Sequence, residues 1–167
     1  MLHHLLQGLR KPLTEAPPPL DPDMQAMAAG LDRATRRRLG RGLSIRMVDA
    51  GSCNGCELEI HALNNAFLDL ERYGLRFVAS PRHADVLMVT GPVTKNMREA
   101  LERTWAAIPN PKWVVAAGDC AAGGGVFAGS YAVVGGVPAV VPVDLFIPGC
   151  PPSPKQLLAG LLALFGT

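Results

Sequence analysis

Four cysteines, the only ones in the chain, stand at Cys53, Cys56, Cys120 and Cys150, and each closely follows a segment that reads as a buried β-strand. Segment 43–49 leads into Gly-Ser-Cys-Asn-Gly-Cys, 113–117 into Gly-Asp-Cys, and 143–147 into Pro-Gly-Cys-Pro-Pro. In an open α/β sheet the loops at the carboxyl ends of the strands gather at one edge, where ligands bind. Three loops far apart in sequence would then bring four thiols to one place. A four-thiolate metal site is the leading expectation.

Cys53 and Cys56 alone are ambiguous. With Asn54 and Gly55 between them, both side chains can turn back on one centre, and the loop opens a helix whose first amides favour thiolate charge. A thioredoxin-like dithiol, a zinc pair or half of an iron–sulfur site would all use this spacing. Cys120 and Cys150 shift the balance. Each begins a Gly/Pro-rich loop, where backbone can approach a bulky cluster and aim amides at sulfur. Cys150 precedes Pro151, as in many ferredoxin sites. Structural zinc normally takes two compact pairs of cysteines, whereas the gaps here are 2, 63 and 29 residues. The reading is a 4Fe–4S cluster, with zinc and dithiol chemistry as the alternatives.

Other chemistries find less support. Segment 123–128, Gly-Gly-Gly-Val-Phe-Ala, fits G-x-G-x-x-A with Asp144 some way downstream. That motif should open a helix, yet 130–138 is rich in Val and Gly and reads as extended. There is no G-x-x-x-x-G-K-[ST] phosphate loop. Net charge is only +2, unevenly placed: residues 1–48 hold eight Lys/Arg against four Asp/Glu, and 49–167 hold eight against ten. The densest cluster, Arg33, Arg36, Arg37, Arg38 and Arg41, suits an anionic lipid surface, an acidic partner subunit or a merely solvated linker. Nucleic acid is not expected, because no aromatic residues interleave with these arginines. No signal peptide and no apolar run of about 20 residues is evident. A cytoplasmic setting is expected, where cysteines serve as metal ligands or redox groups more often than as structural disulfides.

The elements that must position the thiols follow from periodicity. Residues 1–13 carry a leucine stripe, 15–22 are Pro-rich, and 24–39 read as an amphipathic helix closed by Gly40 and Gly42. These make an N-terminal helical arm, 1–42, ahead of a domain at 43–167. In that domain, strands at 43–49, 75–79, 86–90, 113–117 and 143–147 alternate with helices at 57–72, 95–107 and 154–164. Such alternation implies an α/β fold with a parallel, doubly wound sheet and helices on both faces.

Three ordered motifs carry a resemblance. Cys-Asn-Gly-Cys-Glu-Leu-Glu (53–59), Gly-Asp-Cys-Ala with Ser130-Tyr131 (118–131) and Ile-Pro-Gly-Cys-Pro-Pro-Ser-Pro (147–154) resemble the small subunit of membrane-bound, energy-converting nickel–iron hydrogenases. The same family takes in the formate hydrogenlyase small subunit and the 20 kDa subunit of respiratory complex I. The resemblance spans about 43–165 and implies a flavodoxin-like fold carrying one 4Fe–4S cluster, with Cys53, Cys56, Cys120 and Cys150 as cofactor and metal ligands. It implies that Glu59 lies at the large-subunit interface, placed to influence proton movement, although a first-turn carboxylate complementing the helix dipole is the plainer reading. The complex I subunit has its first two cysteines adjacent, so the Asn54-Gly55 insertion favours the hydrogenase branch. The expected role is an electron relay between a nickel–iron large subunit and a ferredoxin-like partner. The complex would sit peripherally on the cytoplasmic face of the cell membrane, with the arm toward the membrane-arm subunits. A complex I-like quinone or sulfur reductase, in which a quinone approaches the cluster, is the alternative.

Overall fold

The computed structural model describes residues 21–166. The expected helical stripe at 1–13 and most of the Pro-rich segment lie outside them. In chain order the strands are β1 (Leu43–Asp49), β2 (Leu75–Phe77), β3 (Val86–Thr90), β4 (Val93–Thr94), β5 (Trp113–Ala117), β6 (Val133–Gly135) and β7 (Leu145–Ile147). The α-helices are α1 (Pro22–Leu39), α2 (Gly55–Ala62), α3 (Lys95–Ala107), α4 (Asp119–Gly123) and α5 (Pro154–Phe165). Five strands form one sheet in the order β2-β1-β3-β5-β7, every pair parallel. This is the flavodoxin-like order of a doubly wound sheet. Strands β4 and β6 make a small antiparallel ribbon beside it.

The burial pattern shows why these segments are strands. All five residues of β3 are buried, as a central parallel strand requires. Val86 and Met88 face one core with Leu43, Ile45, Val115 and Ala117, under α1, α2 and α5. Leu87 and Val89 face the other with Val114 and Ala116, under α3. The period of two thus divides each strand between two helical layers.

Helix α1 contains most of the basic segment, and it packs onto its own domain. Its N-cap Asp21 accepts from the Asp23 N–H at 3.0 Å, and Gly40 closes it at φ 71°. Met24, Ala28, Leu31 and Thr35, spaced four, three and four apart, are buried against the rest of the fold. Arg38 lies over the rings of Trp113 and Phe165, at 4.8 and 5.8 Å. Arg41 forms a bidentate pair with buried Asp85 at 2.6 and 2.9 Å. Part of the arginine cluster is therefore engaged inside the molecule.

Three expected elements are shorter than the pattern suggests. The helix expected at 57–72 stops at Ala62, because Asn65 turns its side chain onto the Phe67 and Leu68 N–H groups at 2.9 and 2.8 Å. A short polar side chain competes with the helix for backbone donors in this way. A 3₁₀ turn, Leu70–Tyr73, follows before β2. The strand expected at 143–147 begins at Leu145, since the Asp144 carboxylate takes the Val114 N–H at 2.7 Å. The strand at 75–79 ends at Phe77, close before Pro81.

Candidate metal centre

Each cysteine is placed by the carboxyl end of a parallel strand. The loop after β1 is tied down by Asp49, whose Oδ1 accepts from the Gly51 and Ser52 N–H groups at 2.8 and 2.7 Å. Ser52 Oγ accepts from the Asn54 N–H at 3.0 Å. Asn54 is left-handed, at φ 72°, and that turn lets Cys53 precede α2 while Cys56 rides on its first turn. The loops after β5 and β7 are laced together. Gly118 N–H donates to Ile147 O, Asp119 N–H to Gly149 O, and Gly149 N–H to Asp119 Oδ1, all at 2.8–2.9 Å. A capping box of Ser153 and Gln156 then starts α5, fixing the exit of the Cys150 loop.

The result is one small cavity of about 90 Å³ lined by all four cysteines together with Ser52, Gly55, Gly91, Asp119, Gly149 and Pro151. All four are free thiols; Cys53 and Cys150 are exposed, and Cys56 and Cys120 are half-buried. Two glycines make the space. At Gly118 (φ 92°) an added Cβ would stand 2.7 Å from Cys56 Sγ, and at Gly125 (φ 51°) 2.7 Å from Cys120 Sγ. Both positions need a positive φ and an absent side chain.

Two of the four thiols are shifted away from ionisation by their surroundings. Burial pushes the Cys56 thiol up to about 11, and Glu57 and then the other three sulfurs add to the effect. Burial also raises Cys120, against which the Val126 N–H bonded to its sulfur works. At Cys56 and Cys120 burial and the neighbouring sulfurs both disfavour the charged form, which a bound cation would offset. Among the described residues, no group of three or more His, Cys, Asp or Glu is arranged to hold a single metal ion.

The first-turn reading of Glu59 is not met. Glu57, not Glu59, is the first-turn carboxylate of α2. Glu57 is only 3% exposed, with Oε2 accepting from Ser52 Oγ at 2.6 Å. Glu59 is half-buried, further along the helix. Sequence reasoning passed over Ser52, Glu57 and Asp119; the only signal was their place beside cysteines. Among the exposed apolar residues, Leu58 follows Cys56 by two positions on α2, and Val126 and Tyr131 follow Cys120 in the chain (62%, 84% and 90% exposed).

The architecture is that of a flavodoxin-like domain whose ligand edge presents four cysteines in place of a phosphate loop. The family model described as the 20 Kd subunit of NADH ubiquinone oxidoreductase matches residues 53–164. This chain belongs to that family. It is 42% identical over 159 residues to formate hydrogenlyase subunit 7 of Escherichia coli (strain K12), covering 95% of this chain and 59% of that one. The chain thus spans about three-fifths of that relative's length. It is also 44% identical over 124 residues, 74% of each chain, to the probable membrane-bound hydrogenase subunit mbhJ of Pyrococcus furiosus. Among solved structures it resembles a chain of the membrane-bound sulfane sulfur reductase, an archaeal respiratory membrane complex. There the TM-score is 0.67 at 31% identity, covering 83% of this chain and 74% of that one. Among the described residues, no helix is long and apolar enough to cross a membrane.

Proposed function

We propose that this chain is the electron-relay subunit of a membrane-bound oxidoreductase complex of the hydrogenase type, holding one 4Fe–4S cluster on Cys53, Cys56, Cys120 and Cys150. The observation that carries the reading is the single cavity on which four thiols from three strand ends open. When bound, such a cluster supplies one-electron transfer. Every other contribution comes from the protein. Gly118 and Gly125 leave room beside two of the sulfurs, and the Val126 N–H donates to Cys120, the kind of bond that tunes a cluster's potential. The irregular spacing of the cysteines over three loops, unlike the two compact pairs of structural zinc, favours a multi-iron core over the zinc alternative. Cys120 and Cys150 beside the Cys-x-x-Cys pair count against a dithiol enzyme, which needs two thiols only.

The exposed Leu58, Val126 and Tyr131 make the cysteine edge an apolar docking face for a nickel–iron large subunit. Electrons then pass through this chain between that subunit and a ferredoxin-like partner. Glu59, half-buried on the helix that carries Cys56, lies on this side and is the candidate for proton movement at the interface. The complex associates with membrane-arm subunits at the cytoplasmic face. The chain's likeness to the sulfane sulfur reductase supports a second reading, in which the partner reduces sulfur or a quinone in place of protons.

The test is iron content and EPR of the anaerobically purified full chain, wild type and Cys120→Ser. About four irons and a dithionite-reduced S = 1/2 signal in the wild type, lost or converted in the variant, are expected. A colourless wild type after anaerobic reconstitution overturns the reading. Hydrogen evolution by the assembled complex, against sulfane or quinone reduction, separates the two partner chemistries.

A further inference from the structure

We propose that the β2 edge of the sheet is a docking groove for an extended acidic segment of a partner protein subunit. β2 is the outermost strand, with β1 as its only neighbour in the sheet, and recesses follow one another along it. The first, of about 290 Å³, takes Arg36 from the last turn of α1, with Arg41, Arg76 and Glu71, onto its walls. The second, of about 500 Å³, shares Arg41 and Arg76 and adds Arg82 and His83 from the 3₁₀ turn Pro81–His83. The third, of about 320 Å³, shares Val78 with the second and adds Arg46 of β1 and His61 of α2. Shared walls make the three one groove. It takes no residue from the cavity of the cysteines, so it depends only on the reading of this chain as one subunit of a complex.

The groove carries more positive charge than its ion pairs cancel. Arg36 is held by Asp32 and Arg41 by Asp85. Arg46, Arg76 and Arg82 have no carboxylate partner among the described residues. Ser44 Oγ takes Arg76 Nε at 3.0 Å, which fixes the stem and leaves the terminal nitrogens to the groove. Arg46 Nε is buried without a hydrogen-bond partner among the described residues, so a guanidinium on the wall still lacks an acceptor. Among the described residues, Glu71 is a carboxylate on the walls of the first recess, and none lines the second or third.

Three features select the occupant. Guanidinium forks pair bidentately with carboxylates. Gly42 lines the first recess and Met47 the third, and that stretch of β1 spans about 17 Å at about 3.3 Å per residue. It suits five or six extended residues, roughly, and is too long for a single phosphate. None of the exposed large apolar side chains lines the groove, so nothing there would insert into a bilayer.

The probe is fluorescein-labelled hexaglutamate, read by anisotropy against the full chain at low salt, with hexaglutamine as the neutral control. Binding is expected, weakening as salt rises. R76Q/R82Q is expected to weaken it about tenfold. R98Q/R103Q, which removes the same charge from the exposed face of α3, is expected to stay within about twofold of the wild type. If the double variant fails to fold, R82Q decides, since Arg82 is exposed: a loss of about threefold supports the inference, and no change overturns it. No binding by the wild type overturns it, as does equal loss in the two double variants. So does sedimentation with phosphatidylglycerol vesicles, dependent on Arg76 and Arg82, by a chain that does not bind hexaglutamate; the groove is then a lipid surface. Iron content is read on the same samples. An iron-free chain that binds the peptide through these arginines keeps this inference and loses the cluster reading, and an iron-loaded chain that does not bind reverses that.

Discussion

The two edges of the sheet are built to opposite rules. At the amino edge, polar groups are matched. Asp85 is buried, takes both arms of Arg41, and accepts the Ser44 N–H at 3.0 Å. Arg76 Nε donates to Ser44 Oγ at 3.0 Å. At the carboxyl edge, left-handed glycines crowd sulfur atoms, four thiols share one small cavity, and a buried carboxylate keeps an unpartnered oxygen. One edge is arranged for stability, while the other gathers four thiols at some cost in stability. Of the two buried side-chain atoms without a partner among the described residues, Glu57 Oε1 belongs to the cysteine edge and Arg46 Nε to the middle of β1. The comparison thus teaches that the gathering of thiols, more than an open hydrogen bond, marks the candidate site.

Substitutions at the two edges should therefore separate iron binding from folding. The largest effect is expected for Gly118→Ala. Its Cβ would enter the space of Cys56 Sγ at a φ of 92°, and iron uptake should be lost; an iron-replete variant would break the comparison. Leu31→Ala, in the helix over the sheet face, should cost about 3 kcal/mol in urea unfolding, because Leu31 is fully buried in the main core. An unchanged midpoint would show that α1 is not part of the folded unit. Asp85→Asn, at the matched edge, should cost about 2 kcal/mol while leaving iron content at the wild-type level. A fall in iron would mean that the edges are coupled.

A pH effect is expected in the metal-free chain. The Cys56 thiol is raised by burial to about 11, so the folded state keeps its proton after the unfolded state has lost it. That stabilisation is fully present below about pH 9 and disappears as pH rises toward 11, so the urea midpoint should fall across that window. Iron loading should abolish the slope, because bound sulfur is already deprotonated. A metal-free chain with a flat profile would show that Cys56 is not shielded. The smallest effect is reserved for Lys155→Ala. Its pairs with Asp21 and Asp23, at 3.2 and 3.0 Å, are exposed, and the urea midpoint should stay at the wild-type value.

Much of this was legible in the residues. The alternation of apolar segments and helices sufficed for a doubly wound sheet, and the strands 43–49, 86–90 and 113–117 and the helix 95–107 coincide with the observed elements. The four cysteines announced themselves by type and by their place after strands, because only the carboxyl edge of a parallel sheet could unite them. The sequence did not show where α2 ends, since Asn65 decides that by a side-chain hydrogen bond that no periodicity encodes. Nor did it show that α1 buries Met24, Ala28 and Leu31 in the domain's own core; an amphipathic stripe requires a partner without naming one.

The division is clearest between Glu57 and Glu59. As letters in one motif they are alike, and the dipole argument was attached to Glu59. Register along α2 puts Glu57 in the first turn, buried and bonded to Ser52, and leaves Glu59 half-exposed. Sequence alone determined the chemistry available, four soft ligands and an α/β frame, because residue types and period are local properties. Which carboxylate is buried beside the thiols depends on helix phase and on the packing of three separate loops. Only the tertiary structure decides that.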